Sequence, residues 1–100
     1  MWFNEMNFFV YILFSKKLNR YYIGQTLDVE ERLQQHNLGL YENASTKVAN
    51  DWQLFWKLRC DSRKQAIQIE SHIKRMRNQI YYLNLTTYPE ISERLLNQYK

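Results

Sequence analysis

Four side chains far apart in the sequence carry chemistry that one substrate could use together: Tyr11, Tyr22, Arg32 and Glu70. Tyr11 and Tyr22 lie on two segments whose composition predicts a hairpin. If the turn holds two residues (Lys17-Leu18) or four (Lys16 to Asn19), paired residue numbers sum to 35. Tyr11 then faces Gly24 and is diagonal to Tyr22, with the two backbones roughly 7 to 8 Å apart. Gly24 leaves a gap beside Tyr11. Two phenols so placed can address one substrate, although an ordinary cross-strand aromatic pair has the same spacing. Arg32 lies one turn after Asp28, which is also the spacing of an ion pair within a helix. His36 falls between Val29 and Leu33 on the helical wheel, the place of a packed histidine. Glu70 sits at about +40° from Ala66 on its helix, at the edge of the apolar stripe, and Arg63, Lys74 and Arg77 fall between about +20° and +80°. A carboxylate among three cations suits an i,i+4 pair with Lys74. It equally suits a hard divalent cation held by the carboxylate while the basic groups grip phosphates.

The elements that must position these residues follow from periodicity. Phe8 to Phe14 is an unbroken apolar run, too short for a membrane helix, and predicts a strand buried on both faces. Arg20 to Gln25 forms the second strand. Asp28 with Glu31 is a helix start, and the first helix runs to Asn37-Leu38-Gly39. Residues 39–50 show no period and predict a loop with at most a helical turn. Trp52, Leu54, Trp56, Leu58 and Cys60 alternate with more polar residues, the pattern of a third strand with one buried face. Ser62 with Gln65 opens the longest helix, whose Ala66, Ile69, Ile73, Met76 and Ile80 keep a three-four spacing. A last helix begins near Thr87 to Pro89 and carries Ile91, Leu95 and Leu96. The expected fold is α/β (α+β): a three-stranded antiparallel sheet flanked by helices, in the order strand, strand, helix, strand, helix, helix.

The chain has 100 residues, 45% hydrophobic and 16% aromatic, with two Gly and one Pro, which predicts one compact domain over residues 1–100 and excludes a disordered or low-complexity chain. A domain of this size has room for one core and a shallow site, not for an elaborate cofactor enzyme. The net charge is +4, and residues 61–80 contribute most of it, with five basic against two acidic side chains. A polyanion is therefore a natural partner. The lone Cys60 excludes an intrachain disulfide and a cysteine-built zinc site, and it suits a reducing compartment, with the cytoplasm as the expected location.

Phe9-Val10-Tyr11, then Tyr22-Ile23-Gly24, Arg32 ten residues later, and Glu70 within Ala66 to Glu70, resemble the GIY-YIG nuclease domain in order and spacing. The run from Tyr22 to Asn37 and the segment Ala49 to Trp52 are similar to small stand-alone bacterial members. The resemblance implies a metal-dependent endonuclease that hydrolyses phosphodiester bonds in duplex, branched or single-stranded DNA, with structure-directed cutting in repair or recombination. It implies that Tyr22 is the general-base candidate, Tyr11 the partner that positions or deprotonates the attacking water, Arg32 the phosphate clamp and Glu70 the lone ligand of Mg²⁺ or Mn²⁺. Asn84 is a further candidate by the same resemblance, His36 is a further candidate from its place on the first helix, and Arg63, Lys74 and Arg77 are candidates for binding nucleic acid. The first motif keeps only its tyrosine. Gln25 and Gln79-Ile80 stand where relatives often carry basic residues, which predicts a weaker grip on phosphate. The implied protein is a monomer or weak dimer, without a membrane segment, whose specificity could come from a protein partner. The alternatives are a nucleic-acid-binding module without catalysis, and a small interaction domain using Trp52, Phe55 or Trp56.

Overall fold

The computed structural model describes residues 7–40 and 49–100. Most of the loop expected over 39–50 lies outside the described residues. The chain forms β1 (Phe8–Ser15), β2 (Arg20–Thr26), α1 (Val29–Asn37), β3 (Trp52–Cys60), α2 (Arg63–Met76), α3 (Gln79–Thr87) and α4 (Pro89–Gln98). The three strands make one antiparallel sheet in the order β2-β1-β3, so the most apolar strand is central. Four of its residues, Val10 to Leu13, are fully buried, because helices cover both faces. Side chains alternate along β1. Val10 and Ile12 face α2, packing with Ile23, Trp56, Ala66, Ile69 and Ile73. Tyr11 and Leu13 face α1, packing with Val29 and Trp52.

The hairpin has the expected even register. Residues 16–19 form the turn, Tyr11 pairs with Gly24 and Ile12 with Ile23. The third strand departs from strict alternation. Trp56 pairs with Ile12, but Leu54 pairs with Leu13, so Phe55 is an extra residue in a β-bulge. The bulge switches the buried side: Trp56 and Cys60 join the core under α2, whereas Trp52 joins the core under α1. Leu54 remains exposed.

The helix ends obey local rules. The Asp28 carboxylate accepts the Glu31 N–H at 3.0 Å and starts α1, and Ser62 Oγ accepts the Gln65 N–H at 3.1 Å and starts α2. The buried Gln65 side chain then accepts from the Asp61 N–H and donates to the Leu96 carbonyl, tying α2 to α4. The long apolar series does not form one helix as far as Ile80. α2 ends at Met76 because Arg77 adopts a left-handed backbone (φ 44, ψ 46), and Asn78 caps a new helix by accepting from the Ile80 and Tyr81 N–H groups. Met76 and Ile80 are consequently exposed, and the order gains a third helix after β3.

Candidate active site

β1 and β2 put the two phenols on one face, and α1 closes over them. The Tyr11 and Tyr22 ring centroids are 6.3 Å apart, and the His36 ring lies 4.7 Å from Tyr22 and 6.1 Å from Tyr11. Tyr11 is completely buried and its hydroxyl stands 3.0 Å from His36 Nε2. Tyr22 is only half-buried, so it is the phenol with an outlet to solvent. Burial, reinforced by the nearby Arg32 charge, pulls the His36 pKa down to about 4. The imidazole is therefore neutral at pH 7 and shares a hydrogen bond with the Tyr11 hydroxyl through Nε2. His36 is thus an integral partner of the tyrosine pair rather than a packed spectator. The only legible signal for it is its position one helical turn after Arg32.

Gly24 makes this arrangement possible. A Cβ at that position would stand 2.7 Å from the Tyr11 hydroxyl oxygen, 2.9 Å from its Cζ and 3.1 Å from Tyr22 Cε2. The gap foreseen beside Tyr11 is filled by the phenol itself. α1 is also fastened at its far end, where the Asn37 amide donates to the Trp52 carbonyl at 2.9 Å and accepts the Trp52 N–H at 2.7 Å. That clamp, like the bulge at Phe55, carried no sequence signal.

Arg32 stands one turn before His36 and lines a cleft of about 690 Å³ together with Phe8, Gln25, Asp28, Glu31 and Arg63. Arg63 belongs to α2, so the two helices meet where β2 ends. At the opposite end of α2, Arg77 lines a second groove with Arg20, the first residue of β2. α2 therefore runs beside the edge strand for its whole length: about 21 Å of helix against about 20 Å of strand. Glu70 lies halfway along α2. Its helix packs on the sheet face opposite the phenols, and Glu70 sits on the flank of the apolar stripe that Ala66, Ile69 and Ile73 bury. Its Oε2 takes an ion pair from Lys74 Nζ at 2.7 Å, and its side chain is 19% exposed.

Asn84 is not brought to the phenols. It lies half-buried on α3, a helix whose Tyr82 and Leu85 enter the core on the α2 side of the sheet. Cys60 is buried and its thiol is pushed up to about 11, chiefly by desolvation, which leaves no thiolate for nucleophilic work at pH 7. Among the described residues no group of three or more His, Cys, Asp and Glu converges on a metal position, and no helix is long and apolar enough to cross a membrane.

The sequence matches a known family. The family model described as the GIY-YIG catalytic domain covers residues 7–84, more than three-quarters of the chain. The protein belongs to the GIY-YIG family. Membership makes it a domain of the endonuclease superfamily, whose substrate class is nucleic acid. No curated protein and no solved structure matches the chain. The GIY-YIG match ends within α3, so β1 to α2, the elements that carry Tyr11, Tyr22, Arg32, His36 and Glu70, all fall inside it.

Proposed function

We propose that this GIY-YIG domain is a cytoplasmic, divalent-metal-dependent DNA endonuclease. The supporting observation is the packing of Tyr11, Tyr22 and His36 into one cluster, with Arg32 on the adjacent turn of α1. Hydrolysis joins a water oxygen to phosphorus and breaks one P–O ester bond; one water proton leaves to a base and one proton returns to the departing alkoxide. Tyr22, the phenol nearer solvent, contacts the water. Tyr11, through its bond to neutral His36, fixes the Tyr22 ring and its hydrogen-bonding direction. Arg32 grips the scissile phosphate and stabilises its charge in the transition state. Arg63 and Lys74 flank the strand.

Glu70 is the residue to hold Mg²⁺ or Mn²⁺. A single carboxylate on a helix margin, with no cluster of three or more His, Cys, Asp and Glu among the described residues, fits a cation that keeps most of its waters rather than one needing a protein cage. Such an ion lowers the pKa of bound water and offsets charge on the phosphate. Lys74 must release Glu70 for that role, and its ammonium then becomes available to a phosphate. A monomer suffices for one cut.

The test is incubation with duplex, branched and single-stranded DNA in Mg²⁺, Mn²⁺ or EDTA. Cleavage should require the metal, favour branched or unpaired DNA, and fall at least about 10²-fold in Glu70→Ala. Undiminished cutting by that variant overturns the assignment. The Glu70–Lys74 pair and the neutral Gln25 and Gln79 favour one alternative, a binding module without catalysis. On that reading strands are bound with a steep salt dependence and never cut.

A further inference from the structure

Away from the tyrosine cluster, the β1–β2 turn meets the α2–α3 junction in a groove of about 290 Å³. Arg20 and Arg77 line it with Asn19, Asn78 and the tyrosines Tyr21 and Tyr82, and no carboxylate is among its lining residues. The larger cleft differs, since Asp28 and Glu31 there offset Arg32 and Arg63. Only the smaller groove is net cationic. Tyr21 and Tyr82 pack together with centroids 5.1 Å apart, and the Arg77 charge is close enough to oppose the burial that raises the Tyr82 phenol. Both turns that form the groove also contain a non-glycine residue at positive φ, Asn19 at 51° and Arg77 at 44°. Glycine would serve the α2 terminus better if only the fold mattered. A charged side chain is kept where the backbone asks for none.

We propose that Arg20 and Arg77 form a second phosphate-binding subsite, which holds a backbone phosphodiester of the nucleic-acid strand about six phosphates from the one gripped at Arg32. The inference rests on the endonuclease reading for the position of that first phosphate. Arg63, which lines the cleft with Arg32, and Arg77 are separated by about 21 Å along α2, and a B-form strand advances about 3.4 Å per phosphate. The groove therefore continues the path of a strand lying along the β2 edge. Two guanidiniums with tyrosine hydroxyls beside them match the tetrahedral oxygens of a phosphodiester, and the tyrosine rings offer a surface to its sugar or base.

The probe is a series of oligothymidylates from about two to about twelve nucleotides, titrated by fluorescence anisotropy in EDTA at several salt concentrations. Wild-type affinity should step up about tenfold once the strand is long enough to reach both subsites. In the Arg20→Gln/Arg77→Gln double variant the step should shrink below about twofold, and the slope of log affinity against log salt should lose about 0.7. Persistence of the full step overturns the subsite. Arg77→Gly supplies the control for folding: its melting temperature should hold or rise, while its affinity for the long strand falls as far as in Arg77→Gln. A stabilised Arg77→Gly with intact affinity would mean that Arg77 is structural only. A protein that shows the length step but cuts no DNA refutes the endonuclease reading and leaves the subsite standing; one that cuts without any length step does the reverse.

Discussion

Replacing Gly24 with alanine tests the geometry at its tightest point. The added methyl would lie 2.7 Å from the Tyr11 hydroxyl, whereas ordinary contact begins at 3.4 Å, so the ring must move by about 0.7 Å. Tyr11 is fully buried and packed with Leu13, Val29 and Trp52. Overpacking of this kind costs about 1–3 kcal/mol, and alanine returns part of that because glycine is a poor strand residue by about 0.5–1 kcal/mol. The net loss should be about 1–2 kcal/mol, which for a domain of this size lowers the melting temperature by about 5–10 °C. The same displacement pulls the hydroxyl off His36 Nε2 and shifts the Tyr22 ring. A misplacement approaching 1 Å in a catalytic group costs about 10²-fold in rate, so cleavage should fall by that order at temperatures where the variant is folded. The companion variant Gly24→Ala/Tyr11→Phe removes the 2.7 Å contact and keeps the 2.9 Å one to Cζ. It should recover part of the melting temperature, with a coupling of about 0.5–1 kcal/mol, and none of the activity. Thermal melts by circular dichroism and single-turnover cleavage read both quantities. A Gly24→Ala protein that melts within about 1 °C of wild type and cuts at the wild-type rate would refute the account of how Tyr11 is held.

Three further outcomes are expected. His36 has a folded pKa of about 4 against an ordinary 6.5, a depressed value, so its contribution to stability is complete above about pH 6.5 and is lost as pH falls towards 4; chemical denaturation across that window should show a loss of about 2–3 kcal/mol. His36→Gln should flatten most of the slope, and His72, also depressed by burial and then by Arg75, should account for the histidine remainder. Asn37→Ala leaves the Trp52 N–H and carbonyl without their amide partners and should cost about 2–3 kcal/mol, visible as a shifted denaturation midpoint at unchanged slope. Arg32→Ala should lower kcat about 10²-fold or more if the guanidinium meets the phosphate in the transition state; a loss under about threefold would reduce it to a surface charge near His36.

That the two tyrosines share a face was legible because it depended on local rules. An even turn over residues 16–19 puts Tyr11 opposite Gly24 whatever the rest of the chain does, since side chains alternate with a period of two. The run Val10 to Leu13 dictated a central strand, and Asp28 and Ser62 marked two helix starts by offering an acceptor to an unpaired N–H three residues on. What the linear pattern missed were choices made by distant partners. Phe55 looked like one position in a regular strand, and its bulge appears only when β3 pairs with β1. The apolar series through Ile80 broke at Arg77, a residue with no intrinsic preference for a left-handed backbone, because Asn78 offers a cap and Tyr82 packs against Tyr21 only when the chain turns there.

The side-chain types, the sheet's central strand and the shared face of the two tyrosines were thus determined by the sequence alone, through near-neighbour stereochemistry. The tertiary structure decided that His36 bonds the buried phenol, that the helix of Glu70 packs on the sheet face opposite the phenols, and that Arg20 and Arg77 line one groove. The His36–Tyr11 bond and the Arg20–Arg77 groove join residues 25 and 57 positions apart, and no local periodicity encodes the packing that closes such distances.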